Sequence, residues 1–332
     1  MPHLRHRSAV LGHARRIAGS ALFGMLVLGL CTHPAVSPAL GRSMRVAPGV
    51  RHPASRQSAA PLGQVTIQAL RGRNKLKSIV DHFVFSTLVW FGHDEYPRWN
   101  APVCPLVAGL TREQGDFILA RITQEARAAH VPLAGKDCHA NLFVMVTSQP
   151  HLLLKLWWAK DRAMYDTRNG IAPVQQFIAS KRPIHVWYNA GLGCGGAPLS
   201  PSAPENALAA AGVLVEGGGG VVCSRGVDTL LRDVTVLGFS SVIVVVDTKQ
   251  LRHVTFGQLA AYVALVGLAQ VNTAVHDGAT PTILQLFQGA GHPPQDLTAW
   301  DRALLYALYN SSPASTLQVS QINANVLKRI SR

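Results

Sequence analysis

The sequence predicts an α+β fold, a mixed sheet packed by several helices, and three observations carry that prediction. Residues 241–247 (Ser-Val-Ile-Val-Val-Val-Asp) are a continuous β-branched run of the kind found in a central buried strand. Residues 256–271 read as a helix, and between 259 and 269 no face of it carries a charge, so it is expected to be buried all round. Strands and helices elsewhere follow one another without strict βαβ repetition, which favours α+β over a doubly wound sheet.

Residues 1–39 read as a secretory signal peptide. Arg5, Arg7, Arg15 and Arg16 precede the apolar run 21–30, and the small residues Ser37 and Ala39 place cleavage after Ala39. The apolar run is about half the roughly twenty residues a membrane-spanning helix needs. No stable span is therefore expected once the signal is removed, and the mature chain is expected in the periplasm or secreted. Cys31 follows Leu28-Gly29-Leu30, and Leu30 stands where a lipoprotein box has a small residue.

The formal net charge is +14, but twelve of the 31 basic residues and none of the 17 acidic ones precede Asp81. The body is thus close to neutral, and no nucleic-acid partner is expected despite the high isoelectric point. Residues 40–75 are rich in Arg, Ser, Ala, Gly and Pro and read as a disordered basic linker, too poor in apolar surface to offset its chain entropy. A basic arm on an anionic surface is the functional alternative. Residues 76–332 read as one globular α+β region, long enough for a sizeable core.

Four cysteines remain after the leader: Cys104, Cys138, Cys194 and Cys223. An even count in an exported chain points to disulfides, with three connectivities open. Cys104–Cys138 and Cys194–Cys223 are favoured because each pair brackets one local unit. No CxxC or HxH occurs, and neither metal nor cofactor is expected.

Along the body, 76–91 mixes strand and helix character, and 92–105 is loop. Thr111 opens a helix, because Thr111 and Gln114 make a capping box and Ile118, Ile122, Ala126 and Ala129 form one apolar stripe. Residues 141–147 read as a buried strand. Residues 149–165 read as a helix with an apolar patch of Leu152, Leu153, Leu156 and Trp157. A short helix at 173–180 and a strand at 183–188 follow. Residues 190–226, with four glycines at 217–220, read as a long irregular Gly/Pro-rich loop insertion tied by the second disulfide. After the strand at 241–247, Thr255 is the candidate N-cap of the buried helix. A short helix at 280–287 comes next. Another is opened by Thr298 and Asp301, with Trp300, Leu304, Leu305 and Leu308 facing inward. A last amphipathic helix covers 316–330.

Gly191, Gly193 and Gly196 make a GxGxxG after a strand, with Glu216 twenty residues on, which imitates a dinucleotide fingerprint. Pro198, Pro201 and Pro204 stand where the phosphate-binding helix would start, which argues against it. His93-Asp94-Glu95 is a compact polar cluster that could supply a metal ligand or a general base. A solvated turn before Pro97 is the simpler account.

The buried strand at 241–247, the helix 258–269, Thr282-Ile-Leu-Gln-Leu-Phe287 and the segment 297–309 together resemble an uncharacterised family of exported bacterial proteins. The same stretch is similar to the second half of zincin-type metallopeptidases, whose corresponding helix holds His-Glu-x-x-His. The resemblance implies a degenerate zincin-like C-terminal half. At that helix this chain has Gln258-Leu-Ala-Ala-Tyr262, without the imidazole ligands or the base, and no HExxH occurs anywhere in it. The expectation is an exported, non-catalytic binding or accessory module of the cell envelope, whose partner would be another envelope protein. An envelope hydrolase, a degenerate or rebuilt zincin-like peptidase, is the alternative. A dinucleotide-binding protein using 191–196 comes third.

Overall fold

In this computed structural model the described residues are 62–90, 95–168, 170–194, 197–198, 213–216, 220–223, 235–274, 280–289, 292–312 and 317–332, with backbone alone at 62–71 and between 192 and 236. The chain divides into two units, Met1–Ser58 and Ala59–Arg332, and every described residue belongs to the second.

The strands in chain order are β1 (Pro105–Ala108), β2 (Leu142–Thr147), β3 (Ile184–Cys194), β4 (Ala197–Pro198), β5 (Val213–Glu216), β6 (Gly220–Cys223) and β7 (Thr235–Asp247). The main sheet has the order β1-β2-β7-β3-β4. β1, β2 and β7 are parallel, with Pro105 opposite Leu142 and Leu142 opposite Val242. β3 runs antiparallel to β7, with Ile184 opposite Val246 and a register shift at Asn189/Ala190. β5 and β6 form a separate antiparallel pair. The β-branched run of β7 lies between β2 and β3, so both its edges are paired over that stretch and both its faces are covered.

The helices are α1 (Leu62–Thr87), α2 (Arg112–Ala129), α3 (Pro150–Lys160), α4 (Ala172–Ala179), α5 (Phe256–Leu268), α6 (Ala299–Tyr309) and α7 (Gln318–Ile330). Because strand side chains alternate between faces, each sheet face has its own core. Leu142, Val144, Val146, Val242, Val244, Val246 and Ile184 pack against residues of α1, α2, α5, α6 and α7. Ile243 and Val245 pack on the other side against Leu154 of α3, Tyr165, and Val174, Phe177 and Ile178 of α4. The fold is α+β, with a mixed sheet between two helical layers.

Local chemistry sets the helix starts. Thr111, Thr255 and Thr298 each accept from the amide three residues on, and Gln114, Gln258 and Asp301 each return a bond to the cap. Gly109 (φ 86°) leaves β1 where a Cβ would run into the carbonyl of Val146, so the turn requires glycine. Cys104 and Cys138 form a disulfide with a Cα–Cα separation of 6.0 Å. The backbones of Cys194 and Cys223 lie in β3 and β6, and their pairing falls outside the described side chains.

Three expectations need correction. α1 starts at Leu62, inside the stretch 40–75 read as linker. The last proline before that helix is Pro61, and the linker-like composition applies only to the residues before it. The remainder of that stretch, and the leader at 1–39, lie outside the described residues. The region 190–226 is not simply a loop insertion. β3 continues through it to Cys194, because β7 begins at Thr235 and offers a partner along the whole length of β3, and β4, β5 and β6 also fall within it. The helix expected at 256–271 ends at Leu268.

Candidate functional site

The site is built on β3. Asp247 donates its amide to the carbonyl of Pro183, which marks Pro183/Asp247 as a hydrogen-bonded pair of the antiparallel ladder. Such pairs alternate, so His185 and Trp187 direct their backbone groups into β7, and Ile184, Val186 and Tyr188 direct theirs away from it. Among the described residues no strand pairs with that outer side, since β4 meets β3 only at Gly193 and Cys194. The open edge ends at Ala190, where the guanidinium of Arg168, paired with Asp166, reaches the Ala190 carbonyl.

A cleft of about 530 Å³ runs along this edge. One wall is α4, through Pro173, Gln176 and Phe177. The other is Val89 and the segment 270–273 that follows α5. That second wall is held by backbone bonds from Val89 to Gln270 (3.0 Å) and from Asn272 to Thr87 (2.8 Å). Arg182 crosses the end of the cleft and donates to the Thr273 hydroxyl. Beyond it a second cleft of about 310 Å³ continues past Pro183 to Tyr262, Phe287 and Gln288.

The alternating side chains of β3 anchor the edge on both faces. Toward the larger core, the Tyr188 hydroxyl lies 2.8 Å and 2.9 Å from the carbonyl oxygens of Val266 and Ala269. Burial pushes its pKa up, so it stays a neutral donor. Toward α4, His185 is 2 % exposed. Its Nδ1 is 3.3 Å from the Phe177 carbonyl, and its Nε2 has no hydrogen-bond partner. His151 places its own Nδ1 2.7 Å from the Ile178 carbonyl, and the two imidazole rings lie 5.7 Å apart. The imidazoles thus take two carbonyls at the C-terminal end of α4, that of Phe177, which also accepts from the Ser180 amide, and that of Ile178. Desolvation, with His151 adding to it, holds the His185 pKa below the usual histidine range, against the opposing pull of the Phe177 carbonyl and Asp247.

The site residues expected from sequence fall elsewhere. His93 and Asp94 lie outside the described residues, and Glu95 does not line the cleft. Gly191 and Gly193 are strand residues opposite Gly238 and Val236, not the turn of a dinucleotide fingerprint, and Gly196 lies outside the described residues. Among the described residues no helix start meets these glycines, and none offers a pyrophosphate an amide cradle there. Gln258 is spent on structure: its Oε1 accepts from the Thr255 amide (3.0 Å) and its Nε2 donates to the Pro294 carbonyl (3.0 Å). Tyr262 is 3 % exposed and stacks edge-on against Phe287 at 5.1 Å. Among the described residues no group of three His, Cys, Asp or Glu side chains could hold a metal ion. The cleft itself escaped sequence analysis. Its one local signal is the alternation of Ile184, Val186 and Tyr188 after Pro183, which marks a strand and not an edge.

No family model matches this chain, and neither a curated protein nor a solved structure matches it. Among the described residues no helix is long and apolar enough to cross a membrane. The disulfide is of the kind kept in oxidising compartments.

Proposed function

We propose that this protein is an exported binding module of the cell envelope that takes an extended polypeptide as an added strand on the open edge of β3. The observation that carries the reading is the row of outward backbone groups at Ile184, Val186 and Tyr188, facing a preformed cleft between α4 and segment 270–273. Strand addition draws its affinity from main-chain hydrogen bonds and its selectivity from pockets for alternate side chains. Here those walls offer the amides of Gln176, Gln270 and Asn272, the aromatic face of Phe177, and the cation of Arg182 at one end. An open edge is a hazard that proteins normally cover, and a cleft that admits one chain and excludes a second sheet is consistent with use. The leader-like order of residues 1–39 and the Cys104–Cys138 disulfide support export to the periplasm or beyond.

Selection of random peptides on the purified protein tests this. The selected peptide should lose about tenfold in affinity when alternate amides are N-methylated, and little when the intervening ones are. Val186→Pro should have a similar effect, because it removes an edge donor without breaking a bond to β7. Selection that yields no binder, or binders indifferent to both changes, overturns the reading.

A further inference from the structure

α3 is an apolar helix that the fold leaves largely uncovered. Its sequence, Pro-His-Leu-Leu-Leu-Lys-Leu-Trp-Trp-Ala-Lys, would suit a buried element, yet only Pro150 and Leu154 are buried. Leu152 is 51 % and Leu156 58 % exposed. With the exposed Lys155 and Ala159 these leucines fall at three- and four-residue spacing, so they form a single outward stripe. Leu153, Trp157 and Trp158 are half-buried and pack along the margin of the smaller core. Arg162 stands over the Trp158 ring at 5.1 Å, and a cleft of about 500 Å³ opens between α3 and α4, lined by His151, Lys155, Trp158, Gln175, Ile178 and Ala179.

We infer that α3 is an interfacial helix that docks this protein on a lipid bilayer bearing anionic headgroups. Three features point to lipid. The stripe mixes leucine with lysine. A protein interface core is depleted of lysine, whereas at a bilayer the alkyl stem lies along the acyl boundary and the ammonium reaches the phosphates. Two tryptophans flank the stripe, the residue type that settles at headgroup level. The charge is complementary as well. Lys155, Lys160 and Arg162 face one acid, Asp161, whose carboxylate is occupied by the Ala163 amide at 3.0 Å. Eleven residues are too few to span a hydrocarbon core, so the helix lies flat. The site is separate from the β3 cleft. α4 meets that cleft with Gln176 and Phe177 and turns Gln175, Ile178 and Ala179 toward α3, so a docked protein keeps its open edge accessible.

The test is cosedimentation of the full chain with vesicles of phosphatidylglycerol and phosphatidylcholine, and with vesicles of phosphatidylcholine alone. Tryptophan quenching by brominated phosphatidylglycerol is read in parallel. The parent chain should bind the anionic vesicles and be quenched. The double variant Leu152→Ser/Leu156→Ser, at two exposed positions, should keep its melting temperature and lose binding at least tenfold, together with the quenching. Lys155→Glu/Lys160→Glu should lose the preference for anionic vesicles. Unchanged binding and quenching in both variants would assign the contact to the basic segment before Asp81 and overturn the inference. Absence of vesicle binding would overturn it too. So would a concentration-dependent dimer of the parent that Leu152→Ser/Leu156→Ser abolishes, since the face would then serve a second copy of the chain.

Discussion

Trp99 donates its indole N–H to the carbonyl of Gly267, at 2.8 Å, in the last turn of α5. The carbonyls of a last turn have no intrahelical partner, and here that turn is buried. The Tyr309 hydroxyl takes the Leu268 carbonyl, and the Tyr188 hydroxyl lies between those of Val266 and Ala269. Three aromatic side chains from a loop, a helix and the edge strand thus complete the C-terminus of the central helix. The same turn forms the root of the segment that walls the β3 cleft.

Removing one of these donors should leave a buried carbonyl unsatisfied. Tyr309→Phe and Trp99→Phe are each expected to cost about 1–3 kcal/mol in urea unfolding. The two losses should not add, because the Tyr309 hydroxyl also accepts from the Trp99 amide at 3.2 Å. Unchanged unfolding midpoints in both variants would show that these carbonyls have other partners.

α5 should respond asymmetrically to added bulk. A Cβ on Gly267 would stand 3.2 Å from both δ-carbons of Leu142, whereas one on Gly257 would meet nothing within 4 Å. Gly257→Ala should therefore stabilise by about 0.5–1 kcal/mol through helix propensity. Ala264→Leu, at a fully buried position, should overpack the interior and cost about 1–3 kcal/mol. Thermal unfolding of the two variants reads both signs.

The Cys104–Cys138 bond joins residues 34 apart in sequence, and the chain-entropy account gives it about 3–4 kcal/mol. Cys104→Ala/Cys138→Ala should lower the midpoint of chemical unfolding by a corresponding amount. In the denatured, unreduced parent chain these two positions should resist thiol labelling, as mapped by peptide mass.

His185 gives stability a defined pH dependence. Its imidazole is neutral and buried, with its pKa held below the unfolded value of about 6.5. The unfolded chain therefore takes up a proton first on acidification. The contribution is complete above about pH 6.5 and is lost as the pH falls through the lowered folded value. His185→Phe should flatten the stability–pH curve in that window while leaving it parallel to the parent above pH 7. A slope equal to that of the parent below pH 6.5 would place the titration elsewhere.

Much of the fold was legible in short stretches of chain. Thr111, Thr255 and Thr298 announce helices because a cap and its reciprocal partner lie three residues apart. The strand at 241–247 is visible because a β-branched run suits a position covered on both faces. The Cys104–Cys138 pairing was legible too, as a pair bracketing one local unit. The caps and the strand are local matters, decided by residues within one or two turns of each other, and the disulfide closes a single stretch of 34 residues.

What the tertiary structure alone decided is non-local. Gly191 and Gly193 look like a phosphate-binding turn in isolation, yet pairing with β7 holds them in a strand, since a ladder partner outweighs the loose preference of glycine. The C-terminal capping of α5 rests on Trp99, Tyr188 and Tyr309, which no spacing connects. The open edge of β3 and the uncovered stripe of α3 are likewise properties of what the rest of the chain leaves unpartnered. Alternation in a strand or apolarity in a helix states what a segment would bury, and only the packed arrangement decides whether anything covers it.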